Sequence, residues 1–181
     1  MVTLTCPVCG GNLLRKERTL RCEKGHCYDL AKQNYVNLLL RNQSSGKRHG
    51  DDKRMVAARQ AFLDAGYYAP LRDELCRMAL KYGGETVKLL DVGCGEGYYL
   101  RRLGEAFPQM TRWGMDISTD AVRLAAGADK NAAYFVGTAA HLPFADGSFD
   151  AITSLFALTV PEEFRRLLTE GGWYLQALTE D

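Results

Sequence analysis

The glycine-rich stretch LLDVGCGEGYYLRRL, residues 89–103, constrains the fold of this chain more than any other segment. A short apolar run ends in three glycines at alternate positions, and a pattern typical of a helix follows. Glycine has no Cβ, so the backbone can turn tightly there and a ligand can approach its N–H groups. In an open parallel sheet, ligands bind beyond the carboxyl ends of the strands. The stretch therefore predicts a strand, a ligand-binding turn and a helix.

From residue 87 onward, segments typical of strands alternate with segments typical of helices. Strands are predicted in KLLDVG, RWGMDIS, NAAYFVGT, AITSLFA and WYLQALTE, and helices in YYLRRLGEAF, DAVRLAAGA and PEEFRRLL. This alternation predicts parallel βαβ units, and so an α/β fold with a Rossmann-like, doubly wound sheet. Two more helices are predicted earlier, in KRMVAARQAFLDAG and PLRDELCRMALKYGG. The first has Met55, Ala58, Phe62 and Ala65 on one stripe.

The spacing of the glycines indicates the kind of ligand. The three glycines are Gly93, Gly95 and Gly97. A dinucleotide fingerprint needs a fourth glycine at position 98, where this chain has Tyr98. The G-x-G-x-G form led by Asp91 resembles that of S-adenosylmethionine-dependent methyltransferases. Asp116 ends the next predicted strand, where a carboxylate can bind both ribose hydroxyls, and Asp91 is expected to face the amino group of the methionine moiety. The alternative is a tight turn without a ligand, with Asp116 an ordinary turn residue.

Four of the six cysteines lie within residues 1–30. Cys6, Cys9 and Cys22 are spaced as ligands of a tetrahedral zinc ion on a short hairpin. The fourth ligand is His26 or Cys27, and the spacing leaves both open. Reduced, buried cysteines without a metal are the alternative. A segment of this size can hardly bury enough apolar surface to fold without a metal.

Charge divides the chain into two parts. Residues 1–60 carry 12 Lys and Arg against 5 Asp and Glu, a net charge of +7, whereas residues 61–181 have a net charge of −6. A basic first third predicts contact with a polyanion, and a chance excess of lysine is the alternative. The hairpin carries much of this charge, on Arg15, Lys16, Arg18, Arg21 and Lys24. It is interpreted as a module that contacts RNA phosphates, or else as a protein-binding zinc knuckle.

Other functional classes are disfavoured. No apolar run of about 18 residues is present, so no membrane span is expected. The first residues have neither the basic nor the apolar region of a signal peptide, so a cytoplasmic protein is expected.

The order C-P-x-C, C-x3-H, YVNLL, GDDKRMVAARQAFLDAGYYAPLRDEL and DVGCGEGYY resembles the bacterial 23S rRNA guanine-N1 methyltransferases of the RlmA type. The resemblance runs from Cys6 to about Ala177. It implies a zinc ribbon and a Rossmann-like methyltransferase domain that act on a hairpin loop of 23S rRNA, often as a homodimer. It implies zinc and S-adenosylmethionine as cofactors.

Position by position, the resemblance places the zinc ligands on Cys6, Cys9, Cys22 and His26. It places cofactor contacts on Tyr68, Gly95 and Glu96. An aromatic face at Tyr68 would gain cation–π stabilisation beside a sulfonium. The alternative for Tyr68 is packing at the helix junction, a role that fits Tyr67. No residue is assigned as the catalytic base.

Two departures from the family pattern bear on activity. The aromatic-Ala-Pro tripeptide expected after the fourth strand reads Phe156-Ala157-Leu158, and the chain stops at Asp181, before the last strands of the family. The expected organisation is a zinc module at 1–36, a linker at 37–51 and a C-terminally short methyltransferase domain at 52–181. The expected function is methylation of guanine N1. A zinc-stabilised RNA-binding protein that binds cofactor without turnover is the main alternative, and a small-molecule methyltransferase ranks third.

Overall fold

A six-stranded parallel sheet is the centre of the fold in the computed structural model, which describes residues 2–40, 50–84 and 87–179. Its strands are β4 (Val36–Asn37), β5 (Lys88–Val92), β6 (Thr111–Asp116), β7 (Ala133–Val136), β8 (Phe149–Leu155) and β9 (Leu168–Ala177). The order across the sheet is β4-β7-β6-β5-β8-β9, and every pair is parallel. β5 lies inside the sheet with four of its five residues buried, as its continuous apolar run predicts.

Five helices and a small antiparallel sheet complete the described part of the chain. The helices are α1 (Lys53–Asp64), α2 (Ala69–Tyr82), α3 (Tyr98–Ala106), α4 (Thr119–Ala128) and α5 (Pro161–Leu167). The small sheet is formed by β1 (Leu14–Lys16), β2 (Thr19–Arg21) and β3 (Cys27–Asp29). The predicted α/β class and the predicted alternation of strands and helices from residue 87 are confirmed.

The two faces of the large sheet are covered differently. Helices α2, α3 and α4 pack on one face through side chains such as Leu75, Leu100 and Val122. The other face is covered by α5 and by the cysteine-rich N-terminal segment that contains β1, β2 and β3, which we call the hairpin. Leu4 and Leu13 of the hairpin belong to the same apolar cluster as the sheet residues. The hairpin therefore serves as part of the outer layer of the α/β domain.

Backbone contacts also join the hairpin to this domain. Leu4 forms an antiparallel bridge to Phe144, and Thr5 N–H donates to the carbonyl of Pro143 at 2.7 Å. The predicted linker of residues 37–51 begins inside β4, which pairs with β7. Its residues 41–49 lie outside the described part of the chain, and the proposed domain boundaries stay a prediction.

α1 is a helix as predicted, but the stripe picked out by its sequence is not the buried one. The carboxylate of Asp52 caps the helix by accepting from two backbone N–H groups. The buried residues are Val56 and Leu63, whereas Met55 and Phe62 are exposed. The reason is that α1 has only a narrow contact with the rest of the protein, mainly with α4. The stripe predicted from the sequence, which includes Met55 and Phe62, faces outward.

None of the helices in the described ranges combines the length and the apolar character that crossing a bilayer requires.

A buried ion pair ties β6 to the residue that follows α4. The guanidinium of Arg112 donates to the carboxylate of Asp129 at 2.5 Å and to the carbonyl of Leu100 at 2.9 Å. Both charged side chains are less than a tenth exposed. A Cβ at Gly104 would overlap the guanidinium, so glycine on α3 makes room for this pair.

Asp129→Ala is expected to lower the free energy of unfolding by about 3–5 kcal/mol, because it leaves the Arg112 charge buried without its partner. Glu105→Ala is the control, since it breaks an exposed pair with Arg102 and should cost less than about 1 kcal/mol. Urea denaturation of both variants measures the difference. Equal, small losses would contradict the structural role of the buried pair.

Candidate functional site

A cavity of about 430 Å³ lies at the carboxyl end of the large sheet, beside the strand order reversal at β5. Its size is in the usual range for small-ligand sites. The lining combines the ends of β5, β6 and β8 with residues of α1 and of the α1–α2 junction. Six of the seven residues predicted to bind cofactor line it, namely Tyr68, Asp91, Gly93, Gly95, Glu96 and Asp116. Gly97 is absent from the lining, and the roles of all seven stay predictions.

The three glycines of the turn have positive φ angles of 78°, 57° and 84°, which glycine adopts at little cost. They also have different neighbours. A Cβ at Gly93 would overlap that of Ala157, whereas a Cβ at Gly95 would meet nothing within 4 Å. Gly97 lies below the cavity, where an added Cβ would stand 3.1 Å from the hydroxyl of Tyr134. Gly97 therefore packs the turn against the sheet, and Gly95 leaves its backbone open to a ligand.

Asp91 is buried at the end of β5 and accepts a hydrogen bond from the hydroxyl of Thr153 at 2.7 Å. Burial raises the pKa of its carboxyl to about 7; the hydrogen bond from Thr153 opposes this rise, and the charge of Asp116 adds to it. A cation placed beside Asp91 would favour the ionised form. Sequence reasoning missed Thr153, which becomes a neighbour of Asp91 only through the pairing of β5 with β8.

Asp116 connects the glycine turn to the end of β6. One carboxylate oxygen accepts from Gly95 N–H at 2.9 Å and the other from Ser118 N–H at 2.8 Å. Burial raises the pKa of Asp116, and these two backbone hydrogen bonds lower it in part. Each carboxylate oxygen can accept a further bond, so these contacts leave acceptor capacity for a ligand hydroxyl.

Two buried polar atoms of the lining have no hydrogen-bond partner among the described residues. They are one carboxylate oxygen of Glu96 and the hydroxyl of Tyr99. The other Glu96 oxygen pairs with Arg101 at 3.0 Å. Buried polar groups are almost always hydrogen-bonded in proteins. The cavity therefore fits a ligand with polar groups of its own, as a nucleoside bearing an amino acid would have.

The hairpin brings four metal-ligating side chains together. The ligand atoms of Cys6, Cys9, Cys22 and His26 all lie within 4.8 Å of one another. Cys9 Sγ is 3.6 Å from Cys22 Sγ, and His26 Nδ1 is 3.3 Å from Cys22 Sγ. Tetrahedral zinc with thiolate ligands has edges of roughly 3.8 Å. Three sulfurs and one imidazole at these separations fit zinc, and Cys27 lies outside the group with its side chain exposed.

Tyr28, which sequence reasoning did not single out, supports this cluster. Its hydroxyl lies 3.3 Å from Cys6 Sγ. Burial raises the pKa of the Cys6 thiol, but hydrogen bonds from Tyr28 and from the backbone of Val8 and Cys9 outweigh burial and bring the pKa to about 6. Thiolates are the form that binds zinc, so the site is prepared for a metal at neutral pH.

Solved structures share this fold. A methyltransferase from Aquifex aeolicus, described as S-adenosylmethionine-dependent, superposes with a TM-score of 0.54 at 22% identity, covering 66% of this chain and 69% of that one. A candidate enzyme of that type from Methanococcus maripaludis gives a TM-score of 0.61 at 18% identity, covering 73% of this chain and 66% of that one. Residues 89–172 match the family model described as a methyltransferase domain. Fold and cavity thus define a class I methyltransferase domain.

The N-terminal hairpin indicates which group of methyltransferases this chain resembles. Residues 4–45 match the model described as RlmA, N-terminal, a zinc ribbon. A 23S rRNA (guanine(748)-N(1))-methyltransferase from Streptomyces fradiae is 41% identical over 175 residues, 95% of this chain and 61% of that relative. A candidate enzyme of this class from Bacillus subtilis, YxjB, is 31% identical over 96% of this chain and 63% of that protein. Along nearly its whole length the chain is similar to 23S rRNA (guanine-N1-)-methyltransferases of the RlmA type, and it spans less than two thirds of the length of these relatives.

Cys22→Ser is expected to reduce bound zinc from one ion per chain to near zero, because it replaces a soft thiolate ligand by a weakly binding hydroxyl. Cys27→Ser should leave the zinc content unchanged. Elemental analysis of the purified variants measures the metal. Fluorescence gives a second measurement when Trp173 is replaced by Phe in the original protein and in the Cys22 variant. Trp113, which packs against the cluster beneath the hairpin, should then emit at longer wavelength in the Cys22 variant. Loss of zinc in the Cys27 variant would contradict the ligand set.

Proposed function

We propose that this chain methylates N1 of a guanine in a hairpin loop of 23S rRNA, with S-adenosylmethionine as methyl donor. The observation that carries the proposal is the 41% identity to the Streptomyces fradiae enzyme across 95% of the chain, which includes both the zinc hairpin and the cavity. A small-molecule methyltransferase would have no use for a basic zinc hairpin built into the domain.

The cavity residues have roles that suit this donor. S-adenosylmethionine carries its methyl group on a sulfonium, which makes the group open to displacement by a ring nitrogen. The open backbone at Gly95 and the carboxylate of Asp116 would hold the sugar. Asp91 would face the cationic amino group, together with the Glu96 oxygen for which the described part of the chain offers no partner. Holding the reacting groups in line can be worth up to roughly 7–11 kcal/mol of the barrier.

The hairpin offers cations for the RNA backbone, although two of its arginines already have partners in the fold. Arg15 donates to Asn34 at 3.0 Å, and Arg18 donates to the carbonyl of Ala31 at 2.6 Å. Lys16 and Lys24 are exposed on the same hairpin and are assigned to phosphate contacts. An enzyme with this substrate acts in the cytoplasm, and the family resemblance suggests a homodimer, which sedimentation would test.

Incubation of the chain with S-adenosylmethionine and a 23S rRNA hairpin is expected to add one methyl group to one loop guanine. Methylation at N1 blocks the pairing edge of the base, so reverse transcription should stop one nucleotide before it. Lys16→Glu combined with Lys24→Glu should weaken RNA binding several-fold and leave cofactor binding and zinc content unchanged.

Lys81→Glu, at the end of α2 and outside the hairpin, is the matched control for the charge reversal. RNA and cofactor binding without methyl transfer would favour the non-catalytic RNA-binding alternative. An equal loss of RNA affinity in the Lys81 variant would show that the hairpin is not a specific part of the RNA-binding surface.

Cofactor affinity is expected to fall as the pH drops below 7, by roughly tenfold per pH unit. The reason is that Asp91 has its pKa raised to about 7 by burial, so it is neutral at lower pH and cannot pair with the cationic amino group. Above pH 7 the carboxyl is largely ionised and the affinity should level off. Calorimetric titration across this range measures the change.

Asp91→Asn is the control, since the titration of the cofactor's own amine is common to both proteins. The variant should bind weakly and lose the part of the pH dependence that Asp91 causes. Identical pH profiles for the two proteins would exclude Asp91 as the partner of the amino group.

A further inference from the structure

Four aromatic rings run from the cavity to the protein surface in the order Phe156, Tyr68, Phe62 and Tyr67; we name them the aromatic row. Adjacent ring centroids are 5.6, 5.6 and 4.9 Å apart. The first three rings line the cavity, and Tyr67 lies outside it. The row therefore connects the ligand site with the surface next to its mouth.

The outer end of the row is largely open to solvent. Tyr67 is 71% exposed and Phe62 46% exposed. The two rings stack at an interplanar angle of 20°, so Phe62 covers one face of Tyr67. The high exposure of Tyr67 leaves its second face accessible. Packing at the helix junction, the role expected for Tyr67, therefore occupies only part of this side chain.

The backbone holds Tyr67 in place. Gly66, with a φ of 86°, turns the chain after α1, and its N–H donates to the carbonyl of Leu63 at 3.0 Å. Ala69 N–H then donates back to the carbonyl of Gly66 at 3.0 Å. The ring is thus presented from a hydrogen-bonded turn between two helices, which lowers the entropy lost when a ligand stacks on it.

The net charge of the helix that bears Phe62 suits a nucleic acid. α1 carries three cationic side chains, Lys53, Arg54 and Arg59, against one acidic side chain, Asp64. Lys53 and Arg54 are exposed at the start of this helix, roughly 12–14 Å along its axis from Phe62. Arg59 lies at the cavity wall in an ion pair with Asp51 at 2.7 Å. Aromatic rings and cations on one helix can bind unpaired nucleotides through stacking at the rings and phosphate contacts at the cations.

We propose that the outer part of the aromatic row, Phe62 and Tyr67, is a stacking platform for an unpaired base adjacent to the target nucleotide. This inference rests on the proposed function and adds a positioning surface to it. A base stacked on Tyr67 would fix the RNA backbone at the cavity mouth while its neighbour enters. Stacking tolerates any base, so the platform recognises the unpaired state of the loop and not its sequence.

The test uses the full chain and a fluorescent 23S rRNA hairpin with an unpaired loop. Tyr67→Ala and Tyr67→Leu are both expected to weaken binding by roughly 5- to 100-fold, whereas Tyr67→Trp should retain it, because only a flat ring stacks on a base. Fluorescence anisotropy gives the affinity, and kcat/KM for methylation should fall in the same variants. Tyr82→Ala is the matched control, an exposed tyrosine at the end of α2 outside the row, and it should behave as the original protein.

Other results would overturn the proposal. Wild-type affinity in Tyr67→Ala would exclude the platform, and wild-type affinity in Tyr67→Leu would indicate simple apolar contact. A change in sedimentation of the RNA-free protein would make this surface a contact between two copies of the chain. Weaker calorimetric binding of S-adenosylmethionine would mean that Tyr67 shapes the cofactor cavity. If the original chain binds the cofactor but neither binds nor methylates the hairpin, the proposed function itself fails.

Discussion

Burial of one face of the parallel sheet beneath the zinc-binding hairpin is the constraint on which the rest of the structure depends. In a doubly wound sheet both faces must be covered, because the strands are apolar on both sides. Here Leu4, Leu13 and Leu20 of the hairpin belong to the same cluster as Phe135 and Phe144 of the sheet layer. The metal cluster holds the hairpin, the hairpin covers the sheet, and the sheet places the cavity. Metal binding and the geometry of the cavity are thus linked through packing.

The cavity is organised by hydrogen bonds made within the protein itself. Asp116 holds the turn through Gly95 N–H, and Thr153 holds Asp91. Asp91 is buried and Asp116 is partly buried, and desolvation raises the pKa of both carboxyl groups. A site with this electrostatic character favours a positively charged ligand, since the ligand restores the ionised forms that burial disfavours. The Glu96 oxygen that has no partner among the described residues adds to this preference.

Local sequence pattern was enough to predict the succession of strands and helices along the chain, but not the contacts between distant segments. The apolar run of β5 and the glycine spacing are local, and the structure contains the strand, turn and helix they predict. Thr153 could not be found this way, because it meets Asp91 through pairing of β5 with β8, 62 residues apart. Periodicity identified α1, yet the burial of Val56 and Leu63 depends on how the helix packs against α4. Spacing left the fourth cluster member open, and the fold places His26 with the three thiols.

The pairing of Val36 and Asn37 with β7 has a consequence for how such a protein can be inherited or engineered. A zinc ribbon tethered by a free linker could be exchanged between genes as a cassette. Here the segment that leaves the ribbon is itself the outermost strand of the neighbouring sheet. A crossover placed after residue 37 would exchange that strand along with the ribbon, so a viable chimaera must either recombine before residue 36 or bring a strand that pairs with the recipient's β7. In both cases the leucines of the new ribbon must match the recipient's aromatic cluster.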